Sequence, residues 1–133
     1  MLVEWKDELF SVGVDEIDGQ HKKWIALINE LGASIRTSRS SNILEKIFKD
    51  MVDYCNFHFL EEEDLMERVG FPGYEEHKLK HHDFRAMVEA YHDNLMKGEV
   101  VSRLEVMYKL VEWLKKHIQT ADMKYGEFIK SKG

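Results

Sequence analysis

Apolar residues recur at helical spacing along most of this 133-residue chain. No stretch sustains the alternation of apolar and polar residues that is typical of a strand. The chain holds a single proline, Pro72, so nearly all of it is free to be helical. Its strongest break is Gly70-Phe71-Pro72-Gly73. These patterns predict an all-α fold.

Polar clusters and capping patterns divide the chain into four helices. We expect the first from Ile17 to the polar cluster Thr37–Ser41, the second from an N-cap at Asn42 to about Arg68, the third from the Gly-Pro break to Lys97 with Gly98 as C′, and the fourth from the capping box Ser102–Glu105 to about Ile129. Residues 1–16 lack a sustained period and predict an irregular arm packed by Trp5, Leu9 and Phe10. Four helices with short connections predict an up-down-up-down antiparallel four-helix bundle, as one domain over residues 1–133.

Charge and composition exclude several classes of protein. The formal net charge is −6 and the basic residues are interspersed with acids, which argues against nucleic acid as a partner. No apolar run approaches the roughly 20 residues that a transmembrane segment needs, and the start has no secretory signal, so we expect a cytoplasmic location. The single cysteine, Cys55, cannot form an internal disulfide and agrees with a reducing compartment. We expect a monomer.

Histidine and carboxylate side chains interrupt the apolar face of every predicted helix. They are His21 in the first, His58 and Glu62 in the second, His77 and His81 in the third, and His117 and Asp122 in the fourth. Taken singly, a buried histidine is more often a core residue bonded to a neighbour, and a lone glutamate more often reaches solvent. In an antiparallel bundle, however, all of these positions fall at the same end. Burying so many polar groups is costly unless something satisfies them, so together they predict a metal centre.

The number and type of these side chains indicate the metal. They exceed the four ligands of a tetrahedral structural zinc, there is no cysteine pair, and mixed imidazole and carboxylate ligands suit iron or manganese. We therefore expect two ions. If both carboxylates bridge them and an oxide or hydroxide bridges them as well, one of the twelve octahedral positions stays open for a small apolar ligand such as dioxygen.

Five segments of the chain resemble the hemerythrins, and most closely the single-domain bacteriohemerythrins. They are Trp5 in the arm, Ile17-Asp18-Gly19-Gln20-His21-Lys22, His58-x-x-x-Glu62, His77-x-x-x-His81-x-x-Phe84 and His117-Ile118-x-x-x-Asp122. The resemblance extends over the whole chain and fills every ligand position of that family's pattern. It implies a non-haem centre of two iron ions, joined by an oxo or hydroxo bridge, that binds dioxygen reversibly.

The resemblance also implies a role for each side chain. Carried over by position, His77, His81 and His117 would saturate one iron, His21 and His58 would hold the other, which keeps the vacancy, and Glu62 and Asp122 would bridge the two. The residues expected to line the ligand pocket are Trp24, Phe59, Trp113, Leu114 and Ile118, although each of them could equally be ordinary core. Trp24 stands where a smaller aliphatic residue is expected, so the pocket should differ in volume or access. Gln20 and Tyr125 could support the ligands.

A dioxygen carrier, store or supplier to an oxygen-consuming enzyme is therefore the function that we expect, and not an enzyme. The alternatives are a di-iron enzyme, such as an oxidase, peroxidase or nitric-oxide reductase, and an oxygen or redox sensor that uses the same site. A histidine-rich ligand set favours binding over oxygenase chemistry, and 133 residues leave no room for a sensor's output domain.

The spacing from His117 to Asp122 conflicts with a regular helix. At about 100° per residue, side chains five positions apart diverge by about 140°. We therefore expect a π-bulge between them or a bend just after Thr120. Two histidines fall outside the pattern, His82, which should be exposed, and His92 on the outer edge of its helix.

Overall fold

The computed structural model describes residues 3–37, 40–97 and 100–132, and all of their regular secondary structure is helical. The elements in chain order are α1 (Asp7–Phe10), α2 (Asp15–Arg36), α3 (Ser41–Val69), α4 (Tyr74–Lys97), α5 (Val100–His117), a π-helical segment (Ile118–Asp122) and α6 (Met123–Lys132). No helix in the described ranges is both long and apolar enough to cross a membrane.

The four long helices form an up-down-up-down bundle, as predicted. Helix α2 contacts α3 and α5, and α4 contacts the same two helices, so the four close a ring. The predicted apolar stripes point into it: Trp24 on α2, Phe59 on α3, Phe84 on α4 and Leu114 on α5 are at most 1% exposed and belong to one buried cluster. Burial of these faces, at roughly 25 cal/mol per Å² of apolar surface, drives the assembly.

Helix α3 ends where the Gly-Pro break predicts. Gly70 has φ of +70°, the left-handed conformation in which glycine is favoured, and Phe71 N–H donates to the Met66 carbonyl at 2.9 Å. Four residues further on, α4 begins at Tyr74. The turn reverses the chain and brings the start of α4 beside the end of α3.

Three local predictions were wrong. The N-cap of α3 is Ser40 and not Asn42, since the Ser40 hydroxyl accepts the Ile43 N–H at 3.4 Å. Helix α5 already includes Val100, so Ser102 lies inside the helix and is not its N-cap. Leu9 does not pack the arm, because it is 45% exposed. Several polar residues precede α3, and a capping pattern alone does not select among them or fix the first residue of a helix. The predicted C′ residue Gly98 lies outside the described residues.

The N-terminal arm crosses the bundle and is fixed to it at two places. Asn29 on α2 exchanges two hydrogen bonds with the Val3 backbone, at 2.8 and 3.0 Å. Asp18 accepts the Val12 N–H at 2.9 Å and the Ser11 hydroxyl at 2.5 Å. Val12 then packs with Tyr125 in a second apolar cluster at this end of the bundle. The arm contains the short helix α1, and its Phe10 is buried as predicted.

Residues Ile118–Asp122 form the distortion that the sequence predicts. They are π-helical, and Thr120 donates its hydroxyl to the Lys116 carbonyl at 2.6 Å. Because a π turn takes up an additional residue, side chains five positions apart return to the same face. His117 and Asp122 accordingly converge, with Nε2 and Oδ1 3.1 Å apart.

A methyl group at Gly126 should destabilise the protein. A Cβ built there would lie 2.3 Å from the Val12 carbonyl oxygen, and backbone cannot yield as a flexible side chain can. We expect Gly126→Ala to lower the free energy of unfolding by about 1–3 kcal/mol in urea titrations. Gly19→Ala is the matched control, because nothing lies within 4 Å of its Cβ and alanine favours a helix. Equal stability of the two variants would contradict this packing.

Candidate metal centre

Seven polar side chains converge at the end of the bundle where the arm crosses. They are His21, His58, Glu62, His77, His81, His117 and Asp122, and none is more than 4% exposed. Each of the four long helices contributes, and the π-helical segment adds Asp122. The structure thus brings together every residue that the sequence predicts as a ligand.

The seven side chains form two overlapping groups. In one, donor atoms of His77, His81, His117, Glu62 and Asp122 all lie within 4.8 Å of one another. In the other, the same holds for His21, His58, Glu62 and Asp122. We call these the three-histidine group and the two-histidine group. Glu62 and Asp122 belong to both, so the two groups share an edge made of carboxylates.

The spacing of the donors is that of a metal site. The Nε2 atom of His117 lies 3.1 Å from Nε2 of His77 and 3.2 Å from Nε2 of His81. In the other group, His21 Nε2 lies 3.0 Å from Asp122 Oδ2, and His58 Nε2 lies 3.3 Å from Glu62 Oε1. With metal–nitrogen distances of about 2.1 Å, adjacent donors of an octahedral ion are about 3 Å apart.

Several of the buried donor atoms have no hydrogen-bond partner among the described residues. They are both ring nitrogens of His21, Nε2 of His58, Oε1 of Glu62 and both oxygens of Asp122. Leaving such atoms unsatisfied typically costs about 1–3 kcal/mol each. Carboxylate oxygens cannot satisfy one another, and two imidazole lone pairs repel. A metal cation placed between these side chains would accept electron pairs from both the imidazole nitrogens and the carboxylate oxygens, so the side chains fit a metal.

The electrostatics of the cluster also favour a cation. Burial lowers the pKa of His21, but the adjacent carboxylates of Asp122 and Glu62 outweigh it and raise the pKa to about 9. Burial lowers the pKa of His58 to about 4, so that ring is neutral. Burial would raise the pKa of Asp122, yet His117 and its other histidine neighbours hold it well below the usual value. The centre therefore contains two ionised carboxylates, and positively charged groups must balance their negative charge.

Neighbouring side chains fix the orientation of the histidines. Nδ1 of His58 lies 2.7 Å from the Gln20 amide oxygen, which can only accept, so Nδ1 carries the proton and Nε2 is free for a metal. Nδ1 of His81 lies 2.8 Å from Glu63 Oε2 and is fixed in the same way. Tyr125 donates its hydroxyl to Glu62 at 2.5 Å. The sequence pointed to Gln20 and Tyr125 but not to Glu63.

The model of the hemerythrin HHE cation-binding domain matches residues 12–129 of this sequence. The chain belongs to the hemerythrin family. A bacteriohemerythrin of Stenotrophomonas maltophilia is 35% identical over 98% of this chain and 83% of its own length. One from Clostridium acetobutylicum is 31% identical over 91% of this chain and 96% of its own. A crystal structure of a wild-type hemerythrin superposes with a TM-score of 0.86 at 25% identity and covers 96% of this chain and 97% of that one.

The five predicted pocket residues of this hemerythrin surround the cluster unevenly. Phe59 stacks on His81, with ring centroids 3.8 Å apart, and Trp113 stacks on His117 at 4.4 Å, so both lie against the three-histidine group. Trp24 lies beside His58 of the other group at 5.6 Å. Trp24, Phe59, Leu114 and Ile118 are fully buried, whereas Trp113 is partly buried. Trp24 also has an indole N–H that meets no acceptor among the described residues.

Glu63 is the functional residue that sequence reasoning missed. Its neighbour Glu62 faces the centre, while Glu63 reaches His81 on α4 and lies 3.9 Å from Arg85 Nη2. Arg85 in turn donates to Asn56 at 2.9 Å and lies over the Phe59 ring. The available signal was the acidic residue next to Glu62, on a helix edge that faces a neighbouring helix. His82 is exposed, as predicted.

Divalent metal should stabilise this hemerythrin-family protein against heat. Binding at 100 times the dissociation constant adds about 2.7 kcal/mol, equivalent to several degrees in Tm. We expect Fe²⁺, added without air, to raise the Tm measured by circular dichroism and a chelator to reverse the rise. His81→Ala should lose most of the effect, and His82→Ala, the exposed neighbour on the same helix, should keep it. An unchanged Tm for the wild type would contradict the fit.

Proposed function

We propose that this protein binds dioxygen reversibly at a non-haem di-iron centre. His77, His81 and His117 would hold one iron, His21 and His58 the other, and Glu62 and Asp122 would bridge them. The observation that carries the proposal is the overlap of the two groups, which share both carboxylates and have unequal numbers of histidines. When bound, the ferrous pair would supply the electrons that dioxygen takes up on binding and returns on release.

The unequal donor count supports a position for dioxygen on one side of the centre. The three-histidine group offers one imidazole more than the two-histidine group, and both share the same carboxylates. The coordination position left for an exogenous ligand therefore belongs to the side of His21 and His58. Trp24 flanks that side and is fully buried. Its apolar ring would keep water away from the bound ligand, which slows irreversible loss of electrons.

The polar side chains next to the ligands hold them in position. Gln20 and Glu63 orient imidazoles, and Tyr125 holds Glu62. Burial raises the pKa of the Tyr125 phenol well above its usual value, so it remains a neutral donor. The ionisable side chains buried around the cluster are thereby committed to holding it. This supports a binding protein and not an enzyme, acting as an oxygen carrier, store or supplier to an oxygen-consuming enzyme. The cytoplasmic location is a separate part of the proposal and rests on the sequence alone.

The proposal predicts a reversible spectral change and two irons per chain. The iron-loaded protein is reduced without air, exposed to air and then flushed with argon while the visible spectrum is followed. We expect an oxygenated form that persists for many minutes and reverts under argon. Immediate and complete conversion to the diferric form would contradict reversible binding. Metal analysis that found a single zinc ion per chain would overturn the di-iron assignment as well.

The indole of Trp24 should protect the oxygenated form. Trp24→Leu restores the smaller aliphatic side chain that is expected here and opens space beside His58. We expect the oxygenated form of this variant to decay to the diferric form at least severalfold faster, because water reaches the centre. Trp5→Leu, the same change in a partly buried tryptophan of the arm, is the control and should leave the decay rate unchanged. Equal decay rates in the two variants would rule out this role for Trp24.

A further inference from the structure

The cluster meets the surface on one side only. His77 and His117 are 3% and 4% exposed, while the other five members are fully buried. Both belong to the three-histidine group, whereas every member of the two-histidine group has an exposed fraction of zero. The side that would bind dioxygen is thus closed, and the saturated side is the one that solvent reaches.

Two neighbouring surface pockets lie where the cluster meets the surface. One of about 180 Å³ is lined by Lys80, Trp113, Lys116, His117 and Thr120. The other, of about 30 Å³, is lined by His77, Glu76, Lys124 and again Lys80, among others. We call Lys80, Lys116 and Lys124 the lysine rim. Among the residues that the structure describes, Glu76 is the one acidic side chain that lines either pocket, so the rim is locally positive on a chain whose net charge is −6.

Trp113 connects the larger pocket to the cluster. It is partly buried, lines the pocket and stacks on His117, with ring planes 13° apart. Its ring also lies 4.3 Å from that of Phe84 in the core. A molecule in this pocket would therefore contact a candidate metal ligand, His117, and the aromatic ring that stacks on it.

We propose that the lysine rim is the docking site of an acidic electron-carrier protein, which returns electrons to the centre through Trp113 and His117. The inference rests on the proposed di-iron function. If the bound ligand leaves as hydrogen peroxide, it carries away two electrons from the centre and two protons from solvent, and the centre that remains would be diferric and unable to bind dioxygen. Two carrier molecules that each lose one electron return both ferric ions to the ferrous state, and no bond to the carrier forms.

The charge of the rim selects this partner. A net charge of −6 repels an acidic protein from most of the surface, so a local group of lysines both attracts and orients it. The position of the rim adds a second advantage. Electrons would reach the centre at the three-histidine group, which offers more ligands, while dioxygen would bind on the side of His21 and His58. Re-reduction therefore does not open the closed side to water.

The test compares two donors of opposite charge on the diferric protein. Reduced flavodoxin serves as the acidic carrier and the methyl viologen radical cation as the small positive donor, with reduction followed by stopped-flow spectroscopy. At low ionic strength we expect Lys80→Glu with Lys116→Glu to slow flavodoxin roughly tenfold and to speed the viologen. The control is Lys46→Glu with Lys49→Glu, an equal charge change on α3, whose residues line neither pocket.

Trp113 variants test the route itself. Trp113→Leu should slow both donors severalfold with the rim intact, and Trp113→Phe, which keeps a stacked ring, should recover most of the rate. High salt should remove the effect of the lysine variants but not that of Trp113→Leu. Equal slowing of flavodoxin by the two lysine pairs, or unchanged rates for both donors in Trp113→Leu, would overturn the proposal.

A measurement on metal-free protein separates this inference from the proposed function. The fluorescence of Trp113, taken as the difference between wild type and Trp113→Phe, should be quenched by iodide, and charge reversal at Lys80 and Lys116 should weaken that quenching at least twofold. Unchanged quenching would refute the positive rim whether or not the centre binds dioxygen. Failure of reversible oxygenation, with the flavodoxin results as expected, would reject the proposed function and leave this docking site standing.

Discussion

The burial of two carboxylates in the middle of a helical bundle is the constraint on which the rest of the structure depends. Glu62 and Asp122 are fully buried, and transfer of a single charge to such a place costs several kcal/mol unless it is paired. Five histidines surround them, and one of these, His21, has its pKa raised to about 9 by their charge. A proton is the weaker way to balance two carboxylates. Metal cations at the two groups would balance the carboxylate charges more completely. The free energy of metal binding would therefore contribute to the free energy of folding.

The antiparallel bundle and one local distortion supply that arrangement. The starts of α2 and α4 and the ends of α3 and α5 meet at one level, which brings the histidines together from residues far apart in sequence. A regular α5 would still leave Asp122 pointing away from His117. The π-helical segment turns the Asp122 carboxylate back toward His117, and the Thr120 hydroxyl donates a hydrogen bond to the Lys116 carbonyl. A π turn has poorer backbone geometry than an α turn, so its place next to the cluster indicates that the site determines the local backbone.

The sequence predicts more about this site than about the ends of the helices, for a physical reason. Ligand positions depend on the helical period, which stays constant over many turns, and the i to i+5 spacing of His117 and Asp122 required the distortion that the structure contains. Helix starts depend on which of several adjacent polar residues reaches a free N–H, so Ser40 and not Asn42 caps α3. Glu63 was missed because its role depends on the rotation of α3 against α4, which no local pattern records.

The two groups differ in their number of histidines, and this difference makes the two sides of the centre unlike. Aromatic rings stack directly on His81 and His117, which restricts the three-histidine group on both sides, whereas the two-histidine group is bordered by Gln20 and the tilted ring of Trp24. One iron would therefore be held rigidly with its ligand positions filled, and the other would keep an open position in closed, apolar surroundings. Since the rigid side is also the side that reaches solvent, a charged partner can approach the centre there without disturbing the position that a small apolar ligand needs.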